Sequence, residues 1–186
     1  MRALRLVTIP VLASVLVAAC QDDAPTSSAA SPSARAAKRH SAAPDAAVVI
    51  PPPGGFTSQA LTRGRFLDEI DVKFRLKLDR ATTVVHVADP SDVVMARITI
   101  QPGGALPWHT HPGPAIATVA SGELTVVHAE GCLVQRYPTG TAFVDPGRGH
   151  VHTAFNATAV ETVVYVTYLD VPSGQSPLVP TGHLGC

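Results

Sequence analysis

The chain carries no net charge: 14 Lys and Arg balance 14 Asp and Glu among 186 residues. Setting aside Arg2 and Arg5, which lie in what reads as an export signal, leaves 12 basic residues (14 minus 2) against 14 acidic ones. A chain that grips nucleic acid through its phosphates carries a basic excess, so no such partner is expected. No Gly-rich phosphate loop is present, and no G-x-S-x-G nucleophile pattern. No helix-turn-helix pattern precedes the central segment, which speaks against a DNA-binding regulator. Residues 56–171 also lack any long apolar period of 3.6 residues, and 60–71 offers at best a short turn of helix.

Long apolar runs are equally scarce. The one at the start, residues 6–19, follows Arg2 and Arg5 and ends at Cys20. It is too short to span a bilayer as a mature helix and has the layout of an export signal. Val17-Ala18-Ala19-Cys20 resembles the bacterial lipobox, in which the cysteine becomes the acylated first residue. The expectation is a signal over 1–20, lipidation at Cys20 and a membrane-anchored lipoprotein of the cell envelope. The other reading is an ordinary signal cleaved near Ala19, giving a secreted or periplasmic protein. A lipid would tether a soluble domain without making it a membrane protein. Residues 21–55 are rich in Ala, Ser and Pro, have no sustained period, and read as a disordered spacer.

Beyond Cys20 only Cys132 and Cys186 remain. In an exported, oxidising setting two leftover cysteines favour a disulfide. The bond would pin the Pro/Gly-rich tail, 172–186, back onto the hairpin holding Cys132. Two free thiols are the alternative.

What the central segment does contain is strand signal. Short β-branched or aromatic runs occupy 72–78, 82–87, 93–100, 115–120, 123–128, 134–137, 142–144, 150–155 and 162–169. Asp89-Pro90, Pro102-Gly103-Gly104, Ser121-Gly122, Glu130-Gly131, Pro138-Thr139-Gly140 and Pro146-Gly147 punctuate them. One all-β domain over 56–171, a sandwich or jelly-roll barrel, is the fold expected.

Histidines are placed in a pattern within that domain. His109 and His111, two residues apart on a strand, point to one face. The stretch Gly149-His150-Val151-His152 follows about forty residues later. A distant strand lying across the barrel from the first two, and bringing its imidazole to them, makes a metal pocket, and neutral imidazole suits Zn, Cu, Fe and Ni.

The spacing of these residues resembles the cupin superfamily, whose motifs are G-x5-H-x-H-x3,4-E-x6-G and G-x5-P-x-G-x2-H-x3-N. The chain has Gly103, His109, His111 and Gly122 in the first frame, then Gly140, Pro146, Gly149, His152 and Asn156 in the second. The 17 residues between the motifs resemble the short gap of small single-domain cupins. The resemblance implies a double-stranded β-helix, or jelly-roll barrel. It also implies that His109, His111 and His152 are ligands of one divalent transition metal: Fe, Mn, Zn, Ni or Cu. A homodimer is implied by resemblance alone. The first motif departs at its glutamate, where Ala115 stands, and the second carries one inserted residue around Gly147-Arg148-Gly149.

Losing the glutamate leaves a neutral ligand set, which suits an anionic or enolisable chelating ligand. His150 has three readings: a fourth ligand, an outer partner of the ligands, or a turn residue at the barrel mouth. His86, His128 and His183 read as solvated or hydrogen-bonded. Trp108, beside His109 but of opposite parity, is expected to close the barrel end, Arg148 and the Asp145-Pro146 turn to lie at its mouth. Tyr165 and Tyr168 differ in parity, so at most one faces the cavity. No general base stands out. Two functions remain open: a metal-dependent dioxygenase or isomerase acting on a small chelating substrate, and a non-catalytic barrel that binds a metal or small ligand. A structural barrel of an envelope assembly is a third.

Overall fold

A computed structural model describes residues 48–78, 81–182 and 186. The signal, Cys20, most of the spacer and His183 lie outside the described residues. Strand alternation is clearest in β4 (Asp92–Ala105), where Val94, Ala96, Ile98 and Ile100 turn inward and Met95 outward. β6 (Ala115–Ser121) buries Ala115, Ala117 and Val119 in the same way, and β11 (Thr162–Val171) buries Val164, Val166 and Tyr168. β11 lies between β4 and β6, antiparallel to both. These inward faces form the main core, joined by Leu106, Leu124 and Val126. Each such aliphatic side chain contributes about 1.5–3 kcal/mol by leaving water.

β9 (Ala142–Asp145) extends the sheet beyond β6, with Ala115 opposite Asp145. On the other side β10 (His152–Phe155) pairs with β7 (Glu123–His128), which pairs in turn with β8 (Leu133–Pro138). β7 and β10 are buried on both faces. The reason is a second apolar cluster, in which Ala105, Trp108, Val127 and Phe155 pack with Val48, Ile50 and Cys186. Trp108 thus belongs to the packing behind the site, as its parity suggested. The result is a nearly closed antiparallel barrel of the double-stranded β-helix kind. A separate hairpin, β2 (Asp71–Leu78) with β3 (Ala81–Ala88), stands outside that sheet.

Three expectations change. Residues 60–65, read as a helical turn, belong to β1 (Gly54–Arg65), a strand paired along the edge of β4. Nearly all of β1 is exposed, so no apolar period marks it; its hydrogen bonds to β4 hold it. The strand expected from 150 starts at His152, because Gly147, Arg148 and Gly149 all take positive φ and prolong the turn. Finally, His152 does not lie across the barrel from the first pair. It sits directly beside His109, on neighbouring strands.

The tail is drawn back onto this end. β12 (Val179–Pro180) pairs with β5 (His109–Thr110), and Thr181 N donates to Trp108 O. Cys186 is joined to Cys132, the last residue of the 3-10 turn Glu130–Cys132 between β7 and β8, with 5.6 Å between Cα atoms.

Candidate metal centre

β5 and β10 bring three imidazoles to one point. Ring centroids lie 4.9 Å apart for His109 and His111, 4.3 Å for His109 and His152, and 5.2 Å for His111 and His152. All three residues are buried, and one nitrogen of each lies within 4.8 Å of the others. His109 Nδ1 donates to Pro107 O at 2.7 Å and His111 Nδ1 to Pro177 O at 2.8 Å. Those bonds fix both tautomers with the proton on Nδ1, leaving the Nε2 lone pairs free.

Burial also keeps these rings neutral. It pushes His109 down to about 4, aided by the field of His111. It lowers His111 and takes His152 well below its ordinary value. A buried, neutral cluster of nitrogen donors with aligned lone pairs is a donor set that fits a divalent transition metal. A second group among the described residues, Asp145, His150 and His152, shares His152 with it.

His150 lies beside this cluster, its ring 5.7 Å from that of His152. Its Nδ1 donates to Asp145 Oδ2 at 2.7 Å, and its Nε2 lies 3.1 Å from His128 Nδ1. His128 Nε2 donates onward to Gln135 Oε1, which also accepts from the Tyr137 hydroxyl. With Asp145 and His152, His150 also forms that second group, whose ligand atoms lie within 4.8 Å of one another. His128 is buried in this chain of bonds, while His86 lies on the outer hairpin and donates to Asp71.

Asp145 is the residue that sequence reasoning placed wrongly. Read as part of a mouth turn, it is 3% exposed, and its Oδ2 lies 3.2 Å from His152 Nδ1. Burial alone would raise its carboxyl. The His150 hydrogen bond and the fields of His152, His150 and His111 outweigh that and hold it below the usual carboxylate range. His152 and His111 are neutral near pH 7, so the His150 bond is the cause that persists there. Asp145 stands one residue before Pro146 of the second motif and in register with Ala115; the first was visible in the sequence, the second needed the pairing.

The cluster forms the polar end of a cavity of about 40 Å³. Aliphatic side chains such as Ile98, Leu106 and Val164 line most of it. Tyr168 faces the cavity, 5.0 Å ring to ring from His111, and burial raises its phenol. Tyr165 is exposed. Arg148 is committed elsewhere, donating to His86 O at 2.7 Å and to Asp170 at 3.2 Å, which ties the outer hairpin to the barrel.

Residues 96–168 match the family model described as a cupin domain. A germin-like protein 3-1 of Oryza sativa subsp. japonica is 31% identical over 129 residues, 67% of this chain and 57% of the relative. A protein of Granulicella tundricola named (R)-mandelonitrile lyase is 29% identical over 91 residues, 49% of this chain and 70% of the relative. A solved oxalate oxidase structure aligns at 33% identity and a TM-score of 0.40, over 48% of this chain and 46% of that one. The chain thus spans little more than half of the rice protein and under half of the oxalate oxidase. Residues 96–168 are thus similar to a cupin domain, and both motifs lie inside a double-stranded β-helix.

Proposed function

We propose that His109, His111 and His152 hold one divalent transition metal and that the cavity above them takes a small, oxygen-chelating molecule. The observation that carries this is the orientation of the rings: His109 and His111 spend Nδ1 on backbone carbonyls and keep Nε2 for a ligand. A metal there supplies Lewis acidity, polarising an oxygen of the bound molecule. The protein's own contribution is a mostly aliphatic chamber of limited size, which suits small molecules. The reading includes export by the 1–20 segment and a lipid tether at Cys20, supported by the apolar run that ends at that cysteine.

Elemental analysis of the purified full chain, beside a His109→Ala/His111→Ala variant, tests the site. Near-stoichiometric Fe, Mn, Zn, Ni or Cu that disappears in the variant supports it. The same trace of metal in both removes it.

Turnover and simple binding share these ligands. Among the described cavity-lining residues the one carboxylate, Asp145, already accepts bonds from Gly147 N and His150, so no free general base faces the chamber. That favours a binding barrel as the second reading. (R)-Mandelonitrile is the first compound to assay, since one relative is named as a lyase of it. Metal-dependent consumption places the protein among enzymes; a metal-dependent ligand shift without turnover places it among binders.

A further inference from the structure

The cupin motif has a glutamate where this chain has Ala115, so the trio carries no charge of its own. Ala115 faces Asp145 across the β6–β9 ladder. Directly opposed residues of an antiparallel pair project from the same side of the sheet, and both of these line the cavity. A carboxylate therefore stands one strand away from the position the motif left empty.

Its surroundings say how it serves. Asp145 Oδ1 accepts from Gly147 N at 2.7 Å and Oδ2 from His150 Nδ1 at 2.7 Å. The same Oδ2 lies 3.2 Å from His152 Nδ1. That nitrogen is buried and has no hydrogen-bond partner, because the ring is turned off the line of the carboxylate. His109 and His111 each have a carbonyl on Nδ1; His152 has none. The Asp145 carboxylate, 3.2 Å away, is the acceptor within reach that would complete the set.

We infer that Asp145 is the positioning residue of His152, an ionised carboxylate behind the ring that replaces the motif glutamate. It fixes the tautomer with Nε2 free, raises the basicity of that nitrogen, and balances part of the metal's charge from outside the ligand set. A coordination position that a glutamate would fill stays open to the small molecule. Asp145, His150 and His152 also stand close enough to form a second metal-holding group; we place Asp145 outside the ligand set because its oxygens already accept from Gly147 N and His150 Nδ1.

This inference rests on the metal reading above, and the experiment separates the two. Co(II) is titrated into the metal-free full chain, Asp145→Asn, Asp145→Asn/Ala115→Glu and His109→Ala/His111→Ala, following the visible ligand-field bands. Outer partners of this kind are worth roughly 10–100-fold in metal affinity, so Asp145→Asn is expected to bind Co(II) that much more weakly, with shifted bands. Ala115→Glu in that background is expected to restore affinity, which a merely structural loss would not allow. An asparagine variant that binds Co(II) as tightly as the parent, with the same bands, overturns the inference while leaving the metal reading intact. A parent that binds no better than the double alanine variant overturns both. Should Asp145→Asn not fold, proton–nitrogen NMR of the Zn(II)-loaded parent decides: a downfield proton on His152 Nδ1 is expected. An Nδ1 without a proton overturns the inference.

Discussion

His111 Nδ1 donates to the carbonyl oxygen of Pro177 at 2.8 Å, although 66 residues separate them. A ring of the candidate centre is thus oriented by the C-terminal tail. The tail is held by the β12–β5 pairing and by the Cys132–Cys186 bond.

Reducing that disulfide should therefore act on stability and site together. The bond closes a separation of 54 residues, which the chain-entropy model values at about 4 kcal/mol. Urea unfolding with and without a phosphine reductant should show a loss of up to that size. Co(II) affinity of the still-folded reduced protein should fall several-fold as Pro177 loosens. Unchanged affinity would mean that the β12–β5 pairing alone holds the carbonyl in place.

The metal-free protein should weaken in mild acid. His109 is held at about 4 when folded, against about 6.5 in the unfolded chain. The unfolded state takes up the proton first, so the stability tied to the neutral ring is complete above about pH 6.5. It is lost as the pH falls from there to about 4, some 3 kcal/mol for this residue. His111 and His152 shift in the same direction. Asp145 is depressed as well, so its contribution is present above the ordinary carboxylate range and is lost only at more acidic pH. Urea midpoints at pH 8, 6.5, 5 and 4 measure this; a protein more stable at pH 5 than at pH 8 would contradict it.

Gly147→Ala should be far worse than Gly149→Ala. Both positions have positive φ, at +62° and +91°. A Cβ at 147 would stand 2.0 Å from the Gly113 carbonyl oxygen, whereas nothing lies within 4 Å of one at 149. The left-handed conformation alone costs about 1–2 kcal/mol, and the backbone collision adds to it at 147. Thermal unfolding of the two variants, with equal losses, would show that the turn shifts freely.

Asn156→Ala should cost about 3 kcal/mol without altering metal affinity in the folded fraction. The side chain is fully buried; its Nδ2 donates to Ile100 O and Val160 O, and its Oδ1 accepts from Thr158. Alanine strips the buried Ile100 carbonyl of this donor and removes the acceptor of Thr158, while Val160 O keeps Thr158 Oγ1. Calorimetry beside a Co(II) titration separates the two effects.

Much of this was legible in the sequence, for identifiable reasons. Residues of β4 and β6 face a core on one side and solvent on the other, so alternation printed them plainly. The trio was legible because Gly103, Gly122, Gly140 and Pro146 fix the spacing around it. β1 escaped notice because it buries almost nothing and draws its order from β4. Asp145 escaped for a different reason: its partners His150 and His152 lie five and seven residues on, and only the turn at 147–149 folds them back. Its relation to Ala115 is a matter of pairing between strands, which no local pattern records.

The pairing of β4 bears on how the chain assembles during synthesis. β1 is free to pair with β4 once Ala105 has been made, whereas the opposite edge needs β11, where Ile100 faces Thr162. Until that stretch is made, one side of β4 presents bare amides and carbonyls to any passing strand. Slow translation between Ala105 and Thr162 would lengthen this exposure, so aggregation in an expression host should respond to conditions governing that interval more than to changes near the C-terminus.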